Sequence, residues 1–404
     1  MGPIGPDEQA SAAEQASAAK QASAAEVACA ESEAPTPAIA PVRVAWAVGP
    51  QTFARYARVL QPLAVGLMDE LVELSIMCPP APANQPPLGM PCEVVTCPTR
   101  GWLGYRESGI ERLGENLRRW KVELIHAVDA SAAELARQVA LDQNLPYVVS
   151  SFDLADARRL GEATSQADLL LAASQPIADA LAARGRTDSD IRLLRPGVFH
   201  VRHATCFQEP GNSVAIVAGG PLENLRAFDT VLRCFAELAA RKFDCVFFVI
   251  GSGRAERKLR QQALRLSLGP RITFIDALSM EQLARIFQDA DIYITPAIQE
   301  SIDMQSLLAM AAGVPVLAAA GEGVNDFLRD GQTVMSFACG NHDELTAKLS
   351  AILDDRASAR ALAEGALEYL RLNHSAAGNV TALARMYRQV LARRKAGGSR
   401  LATA

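Results

Sequence analysis

A stretch from Asp291 to Ala318 holds the residues whose types and spacing are best suited to chemistry. It is predicted to form a short buried strand over Ile292–Thr295, a loop that carries the acidic residue Glu300, and a small apolar helix over Met304–Ala312. Gly313 is placed to cap the end of that helix. Ligands of open α/β sheets collect in such loops, between a strand end and a helix start. We expect an anion bound here to meet free backbone N–H groups and the positive end of the helix dipole.

A glycine turn, Gly251-Ser252-Gly253, follows a buried strand and precedes a charged helix. This order is half of a dinucleotide-binding fingerprint, but Glu256 stands where the third glycine would be. The turn therefore has two interpretations: close approach of the backbone to a nucleoside, or a tight connection between a strand and a helix. An NAD-dependent oxidoreductase would also need an acidic residue at the end of the next strand, where Asp276 is available.

Two further side chains stand at the ends of predicted elements. Arg226 begins a predicted helix shortly after Gly219-Gly220. It could bind a phosphate, or it could be a solvated residue at a helix start. His126 ends the predicted strand Leu124–Ala127, where it could contact a ligand or form hydrogen bonds within the core or its rim. No Ser-His-Asp set or pair of carboxylates stands out beside these residues.

Length and composition place the chain among ordinary globular proteins with room for two domains. Of its 404 residues, 50% are hydrophobic and 21% are charged. The net charge of −5 argues against a nucleic-acid-binding protein, for which a basic domain is expected. No apolar run reaches the length of a transmembrane helix, and the N-terminus lacks the basic and apolar regions of a signal peptide.

Eight cysteines are scattered along the chain, at positions 29, 78, 92, 97, 206, 234, 245 and 339. Only Cys92 and Cys97 are near each other, and no second pair or histidine cluster has metal-ligand spacing. We therefore expect no metal site, reduced buried thiols, and the cytoplasm as the compartment.

The order of the predicted elements divides the chain into four segments. Residues 1–41 repeat QASAA with Glu or Lys between copies and end in a Pro-rich stretch, which predicts a low-complexity tail and linker. Residues 42–199 and 200–372 each alternate buried strands with helices, the pattern of parallel βαβ units. Residues 373–404 are predicted to form a long helix and a tail. Within the first domain, Trp102–Trp120 fits an amphipathic surface helix packed on the sheet, or one that docks on a membrane surface or an acceptor.

Three stretches of the second half resemble the family 4 (group 1) nucleotide-sugar glycosyltransferases in order and spacing: GSGRAERKL, ITFIDALSMEQLARIFQDADIYITPA and AMAAGVPVLA. The resemblance covers about Val42 to Arg394 and is clearer in the second half than in the first. It implies the GT-B fold, an α/β fold with two tandem Rossmann-like, doubly wound domains that face a cleft, followed by a long C-terminal helix. The first domain would serve the acceptor and the second would bind the nucleotide-sugar donor.

The resemblance assigns roles to residues of this sequence. Glu300 matches the family's first acidic residue, which contacts the transferred sugar, and His126 matches a histidine that can touch the sugar from the first domain. Arg226 matches the lysine of a basic pair that grips the donor diphosphate. The same resemblance places five turn and loop residues near the donor: Gly220, Gly251, Gly253, Ser301 and Asp303.

The sequence departs from the family pattern at several of these places. Pro221 stands where the arginine of the basic pair would be, and Ser301-Ile302-Asp303 replace a Gly-Phe-Gly run. Leu308 stands eight positions after Glu300, where the family has a glutamate that binds the ribose. An interdomain Asn-Gly-Val-Asp element is represented by Pro196-Gly197-Val198-Phe199.

The resemblance predicts a retaining glycosyltransferase that moves a hexose from a nucleotide sugar to an unknown acceptor, a glycan, a lipid or a small molecule. The scheme that the resemblance implies requires no metal ion or cofactor. The net charge and the lack of a long apolar run predict no nucleic-acid partner and no transmembrane segment, and Trp102–Trp120 leaves peripheral membrane contact open. The alternative is a catalytically degenerate GT-B protein that binds a sugar, a nucleotide or a partner subunit. A polar pocket around Glu300, Arg226 and His126 would favour the enzyme, whereas a cleft plugged by Leu308 and Ile302 would favour the binding protein.

Overall fold

The computed structural model describes residues 40–49, 52–80, 92–97, 107–159, 161, 164, 166–184, 190–208, 213–276 and 280–397. The repeats of the predicted N-terminal tail, Trp102 and the last seven residues of the chain lie outside the described residues.

The first half of the described chain builds a sheet of seven parallel strands covered by helices. The strands are β1 (Val42–Ala47), β2 (Val72–Cys78), β3 (Cys92–Thr96), β4 (Leu124–Ala127), β5 (Tyr147–Ser151), β6 (Leu169–Ala172) and β7 (Ile191–Leu193). The helices are α1 (Thr52–Asp69), α2 (Glu107–Arg119), α3 (Ala133–Gln143), α4 (Leu154–Arg159) and α5 (Gln175–Ala182). The strand order is β3-β2-β1-β4-β5-β6-β7, and β4, β5 and β6 are buried along their whole length because helices cover the sheet.

The second half builds a sheet of six parallel strands, also covered by helices. Its strands are β8 (Val214–Gly219), β9 (Cys245–Ile250), β10 (Ile272–Ile275), β11 (Ile292–Thr295), β12 (Val316–Ala320) and β13 (Met335–Ala338). Its helices are α6 (Leu225–Ala240), α7 (Glu256–Arg265), α8 (Met280–Gln288), α9 (Met304–Ala311), α10 (His342–Asp354) and α11 (Arg356–Asn373), and the chain continues into α12 (Ala376–Lys395). The order β10-β9-β8-β11-β12-β13 makes this a doubly wound sheet.

These two sheets confirm the predicted α/β architecture with a long helix at the C-terminal end. The sequence prediction missed β13, because this edge strand is four residues long and only partly buried, so it lacks a continuous apolar run. In the stretch predicted to dock on a sheet or a membrane, α2 buries Ile110, Leu113 and Leu117 in the core of the first half, which supports the surface helix. No helix in the described part of the chain is long and apolar enough to cross a membrane.

The C-terminal helix α12 returns to the first half of the chain, where it packs against α1. Its Tyr387 is fully buried, and the hydroxyl accepts a hydrogen bond of 3.0 Å from Trp46 Nε1 on β1. The same hydroxyl lies 2.6 Å from Nδ1 of His126 on β4, and Nε2 of His126 lies 2.7 Å from Oγ of Ser150 on β5. A buried polar chain therefore ties the last helix to three neighbouring strands.

His126 is a core residue, and the prediction that it touches a sugar is wrong. The side chain is 2% exposed, and both ring nitrogens have partners inside the core. Because an indole N–H can only donate, the Tyr387 hydroxyl accepts from Trp46, and the two ring nitrogens of His126 each lie within hydrogen-bonding distance of a hydroxyl group, that of Tyr387 or that of Ser150. Burial lowers the pKa of His126 to about 3, so the ring stays neutral at physiological pH.

A second buried histidine, His374, joins the end of α11 to the segment that connects the two sheets. Its Nδ1 donates to the carbonyl oxygen of Pro196 at 2.9 Å, and its own carbonyl oxygen accepts from the backbone N–H of Val198 at 2.8 Å. Burial lowers the pKa of His374 to about 4. This ring too is held neutral by its surroundings.

The described cysteines are free thiols, as expected. Burial raises the pKa of Cys78 to about 11 and the pKa of Cys97 and Cys234 to about 12, so these thiols stay protonated and unreactive. Cys339 departs from the expectation of burial, because it is exposed beyond the end of β13.

Replacing Tyr387 by phenylalanine should lower the free energy of unfolding by about 1–3 kcal/mol, because Trp46 Nε1 and His126 Nδ1 would both be left buried without a partner. Urea denaturation followed by tryptophan fluorescence measures this change. Tyr369→Phe is the matched control, since the described structure shows no hydrogen-bond partner for the buried Tyr369 hydroxyl. Equal stabilities of the two variants would contradict the proposed hydrogen-bonded chain.

Stability should fall as the pH drops from 6.5 to 5. The folded pKa values of His126 and His374 lie below the ordinary value of 6.5, so the unfolded chain binds more protons in this window. Each histidine should cost on the order of 2 kcal/mol of unfolding free energy at pH 5. The hydrogen-bonded carboxylates of Glu223, Glu344 and Asp355, whose pKa is lowered, lose their contribution only below ordinary values of 4.5 or 3.8.

Urea midpoints measured at pH 7, 6 and 5 test this pH dependence. His374→Asn should reduce the slope, because the amide can still donate to Pro196 but does not titrate. His203→Asn, which replaces a histidine whose side chain is 85% exposed, is the matched control for the substitution. A urea midpoint that does not change with pH, or the same pH dependence in both variants, would contradict the prediction that the buried histidines cause the loss of stability.

Candidate functional site

The strand order of the second sheet reverses between β8 and β11, and this point is where a doubly wound sheet binds ligands. β8 is followed by a loop into α6, and β11 is followed by a loop into α9 on the other side of the sheet. A crevice therefore opens at the carboxyl ends of these two strands. The predicted residues Gly220, Arg226, Glu300, Ser301 and Asp303 all lie on these two loops or at the helix starts that follow.

The floor of the crevice is partly filled by protein side chains. A Cβ atom added to Gly219 would overlap the side chains of Gln305 and Tyr293, and the Tyr293 hydroxyl donates to Gln305 Oε1 at 3.1 Å. Gly220 has more room, because the nearest atom to an added Cβ would be Gln299 Nε2 at 3.7 Å. Gly220 has φ +139°, a backbone conformation that favours glycine. Space for a ligand is therefore found above Gly220 rather than above Gly219.

The glycine turn at Gly251 and Gly253 lies against the loop that follows β8. A Cβ atom on Gly251 would overlap the carbonyl oxygen of Gly220, and one on Gly253 would lie 2.5 Å from the carbonyl carbon of Leu222. Leu222 N–H donates to the Ser252 carbonyl at 3.1 Å, and the Leu222 carbonyl accepts from Ala255 N–H at 2.9 Å. Close packing of two loops is therefore a sufficient reason for both glycines, and their approach to a nucleoside stays a prediction.

Arg226 is an exposed cation on the helix that follows the loop after β8. It lies in the first turn of α6 and is exposed, and its Nε would be 3.5 Å from a Cβ atom on Gly340. Among the described residues no carboxylate pairs with its guanidinium. The cap of α6 is uncharged, because Oδ1 of Asn224 accepts from Ala227 N–H at 3.1 Å. This corner of the site can therefore hold an anion.

The loop with Glu300 reaches across to the first half of the chain. The Glu300 carbonyl accepts from Leu154 N–H at 2.8 Å, and Ile302 N–H donates to the Phe152 carbonyl at 3.2 Å. Ser301 thus forms an antiparallel bridge with Asp153. The Glu300 side chain is exposed at this junction, where a group bound between the two halves could reach it.

Asp303 caps α9, and its predicted contact with the donor stays a prediction. Its Oδ1 accepts from the N–H groups of Gln305 and Ser306, each at 3.1 Å, and its Oδ2 accepts from Ser306 Oγ at 2.6 Å and Thr295 Oγ1 at 2.9 Å. The N–H groups predicted to be free for an anion are therefore taken. An aspartate directly before a helix is a capping signal, so the sequence carried the information.

A cavity of about 560 Å³ lies beside this loop, at the carboxyl ends of β11, β12 and β13. The sequence prediction read the loop after β12 only as turn residues and missed this cavity. Ile302 and Leu308 pack into the hydrophobic cores and neither lines the cavity, so they do not plug it. Its lining includes Thr295, Ile298, Asp303, Asn325, Asp326 and Asp330.

Carboxylates at the facing edge of the first half are also bound within the chain. Asp129 accepts from the N–H and Oγ of Ser131 at 2.8 and 2.5 Å, and also from the Thr52 hydroxyl. Asp153 accepts from Ala155 N–H at 2.8 Å at the start of α4. The polar pocket predicted around Glu300, Arg226 and His126 is therefore not assembled, since His126 lies in the core.

Two family models match consecutive parts of the chain. Residues 56–197 match the glycosyl transferase 4-like domain, and residues 207–369 match the glycosyl transferases group 1 model. Among curated proteins, the D-inositol 3-phosphate glycosyltransferase of Rhodococcus opacus is 27% identical over 61% of this chain and 57% of its own length. That of Nocardia farcinica is 29% identical over 59% of this chain and 55% of its own length. The chain thus matches little more than half the length of these relatives.

Solved structures share the fold over most of the chain. Anabaena Alr3699/HepE in complex with UDP and glucose superposes with a TM-score of 0.68 at 14% identity, covering 86% of this chain and all of that one. Sucrose-phosphate synthase from Thermosynechococcus elongatus has a TM-score of 0.68 at 17% identity, with 87% and 99% covered. These likenesses confirm the GT-B fold. The two family models, which together span most of the described residues, show that the chain belongs to the group 1 (family 4) glycosyltransferases.

Proposed function

We propose that the protein transfers a hexose from a nucleotide sugar to a hydroxyl group of an acceptor, with retention of the anomeric configuration. The observation that carries the proposal is the open space above Gly220 at the point where the sheet order reverses, on the loop that leads into the helix whose first turn holds Arg226, an exposed arginine without a carboxylate partner among the described residues. A neighbour in fold that was solved with UDP and glucose, and relatives named as glycosyltransferases, support it.

In this proposal the donor lies along the edge formed by the loops after β8 and β9. Arg226 can bind the diphosphate bidentately, and the uncharged start of α6 adds its dipole to the stabilisation of the leaving diphosphate. The nucleoside would lie near Gly251 and Gly253. Glu300, exposed at the junction of the two halves, would accept hydrogen bonds from the sugar hydroxyls.

The scheme uses no metal ion or resident cofactor, because Arg226 and the start of α6 neutralise the departing charge. The acceptor enters from the first half of the chain and is a glycan, a lipid or a small molecule that offers a hydroxyl. The inositol phosphate named for the curated relatives is the first acceptor to test.

A second candidate is a binding protein without turnover, and one observation favours it. The backbone groups of Glu300 and Ile302 form hydrogen bonds with Leu154 and Phe152. These bonds restrict the rearrangement of this loop around a bound sugar. Leu308 packs against the core of the second half and offers no hydrogen bond to a ribose. The two candidates differ in whether a bound donor is consumed.

Calorimetric titration of UDP, GDP and ADP into the full chain should show micromolar binding of one nucleotide. Arg226→Ala should weaken that binding about 10- to 100-fold, since it removes charge-assisted hydrogen bonds to phosphate. Arg233→Ala is the matched control, because Arg233 lies on the same helix, is 53% exposed and pairs with Asp229 at 2.7 Å. Absence of binding by all three nucleotides at millimolar concentration would overturn the donor proposal.

A turnover assay then distinguishes between the two candidate functions, the enzyme and the binding protein. The matching nucleotide sugar should be converted to free nucleoside diphosphate in the presence of acceptor, at a rate that Glu300→Gln lowers at least about tenfold with little change in nucleotide affinity. Tight nucleotide binding without any release of product would decide for the binding protein.

A further inference from the structure

The start of α9 faces the cavity beside the Glu300 loop, and its first donors are already occupied. The N–H groups of Gln305 and Ser306 would suit a phosphate oxygen, because they are unpaired within the helix and stand at the positive end of its dipole. Both instead donate to Oδ1 of Asp303 at 3.1 Å. The carboxylate of Asp303 therefore occupies the position that a phosphate oxygen would take at this helix start.

This carboxylate is anchored more firmly than an ordinary cap. The second oxygen accepts from the hydroxyls of Thr295 and Ser306, and the Asp303 backbone N–H donates to Oδ1 of Asn325 at 2.8 Å. The residue is 3% exposed. Moving the carboxylate aside would leave four donors without an acceptor, so a ligand cannot displace it at low cost.

The remaining charges around the cavity have the same sign. Its lining includes Glu322, Asp326 and Asp330, and contains no lysine, arginine or histidine. Arg195 reaches Asp326 at 3.3 Å and so compensates that one carboxylate. A phosphate in this cavity would meet several carboxylates with no free cation among the lining residues.

We propose that Asp303 is a built-in anion that excludes phosphate from the start of α9, so that this cavity takes only an uncharged part of a ligand. The inference rests on the proposed function, in which the donor diphosphate lies on the Arg226 side of the crevice. Asp303 is then a specificity-determining residue: it decides on which side of the reversal point the charged and uncharged parts of a donor or acceptor lie.

Inorganic phosphate titrated into the 15N-labelled full chain tests this exclusion. In the wild type the amide signals of Gln305 and Ser306 should not respond up to about 20 mM phosphate, because their N–H groups are taken. In Asp303→Gly these two signals should shift and saturate, because the N–H groups become available. A saturable shift in the wild type, or none in the folded glycine variant, would overturn the proposal.

A second variant keeps the test decisive if the glycine variant does not fold. Asp303→Asn keeps the two N–H groups capped but removes one negative charge from the cavity, so a pyrophosphate there would meet less repulsion and calorimetry should show it binding about tenfold tighter than in the wild type. Asp343→Asn, whose side chain is 86% exposed on α10, controls for the change in net charge. Equal pyrophosphate affinities of Asp303→Asn and the wild type would contradict the proposal. If UDP does not bind but the phosphate and pyrophosphate responses are as expected, the proposed nucleotide donor is contradicted, whereas the exclusion of phosphate by Asp303 is supported.

Discussion

The first backbone N–H groups of a helix need acceptors, and this requirement shapes the edges where the two halves of the protein meet. The chain supplies four of its own carboxylates there: Asp129 before the turn that leads into α3, Asp153 at α4, Asp303 at α9 and Asp326, whose Oδ2 accepts from Gln175 N–H of α5 at 3.0 Å. The edge is therefore stabilised by negative charge. The start of α6 differs, because its cap is the neutral Asn224 and Arg226 stands beside it. Local helix capping thus leaves one side of the site suited to an anion.

Close approach of backbone segments is the second constraint on the site. The loops after β8 and β9 bind each other through Leu222, Ser252 and Ala255, and this packing leaves no room for side chains at Gly251 and Gly253. A glycine turn that resembles a ligand-binding motif therefore also has a structural reason within the chain. The two reasons are compatible, because a loop held rigidly by its neighbour is a pre-organised surface for a nucleoside.

The relation between the two halves depends on contacts that are distant in sequence. Tyr387 of α12 is built into the core of the first half, and His374 binds the segment that connects the two sheets. Near the site, Leu154 and Phe152 bind the backbone of Glu300 and Ile302, while Arg195 pairs with Asp326. Separation of the halves at this edge would break these two backbone hydrogen bonds, the hydrogen bond from Gln175 N–H to Asp326 and the ion pair. Access to the crevice is therefore coupled to these bonds.

The sequence by itself determined most of the strands and helices of both halves, because buried apolar runs and helical periodicity are local signals, but it did not reveal the short edge strand β13. It also located the helix start that carries Arg226 and the loop that carries Glu300, since strand ends and helix starts can be read from the same pattern. Tertiary structure alone decided the role of His126, whose partner Tyr387 lies 261 residues away. It also decided the charge of the cavity, which collects carboxylates from the loops after β11 and β12. Long-range packing brings these groups together, and no local pattern in the chain records that proximity.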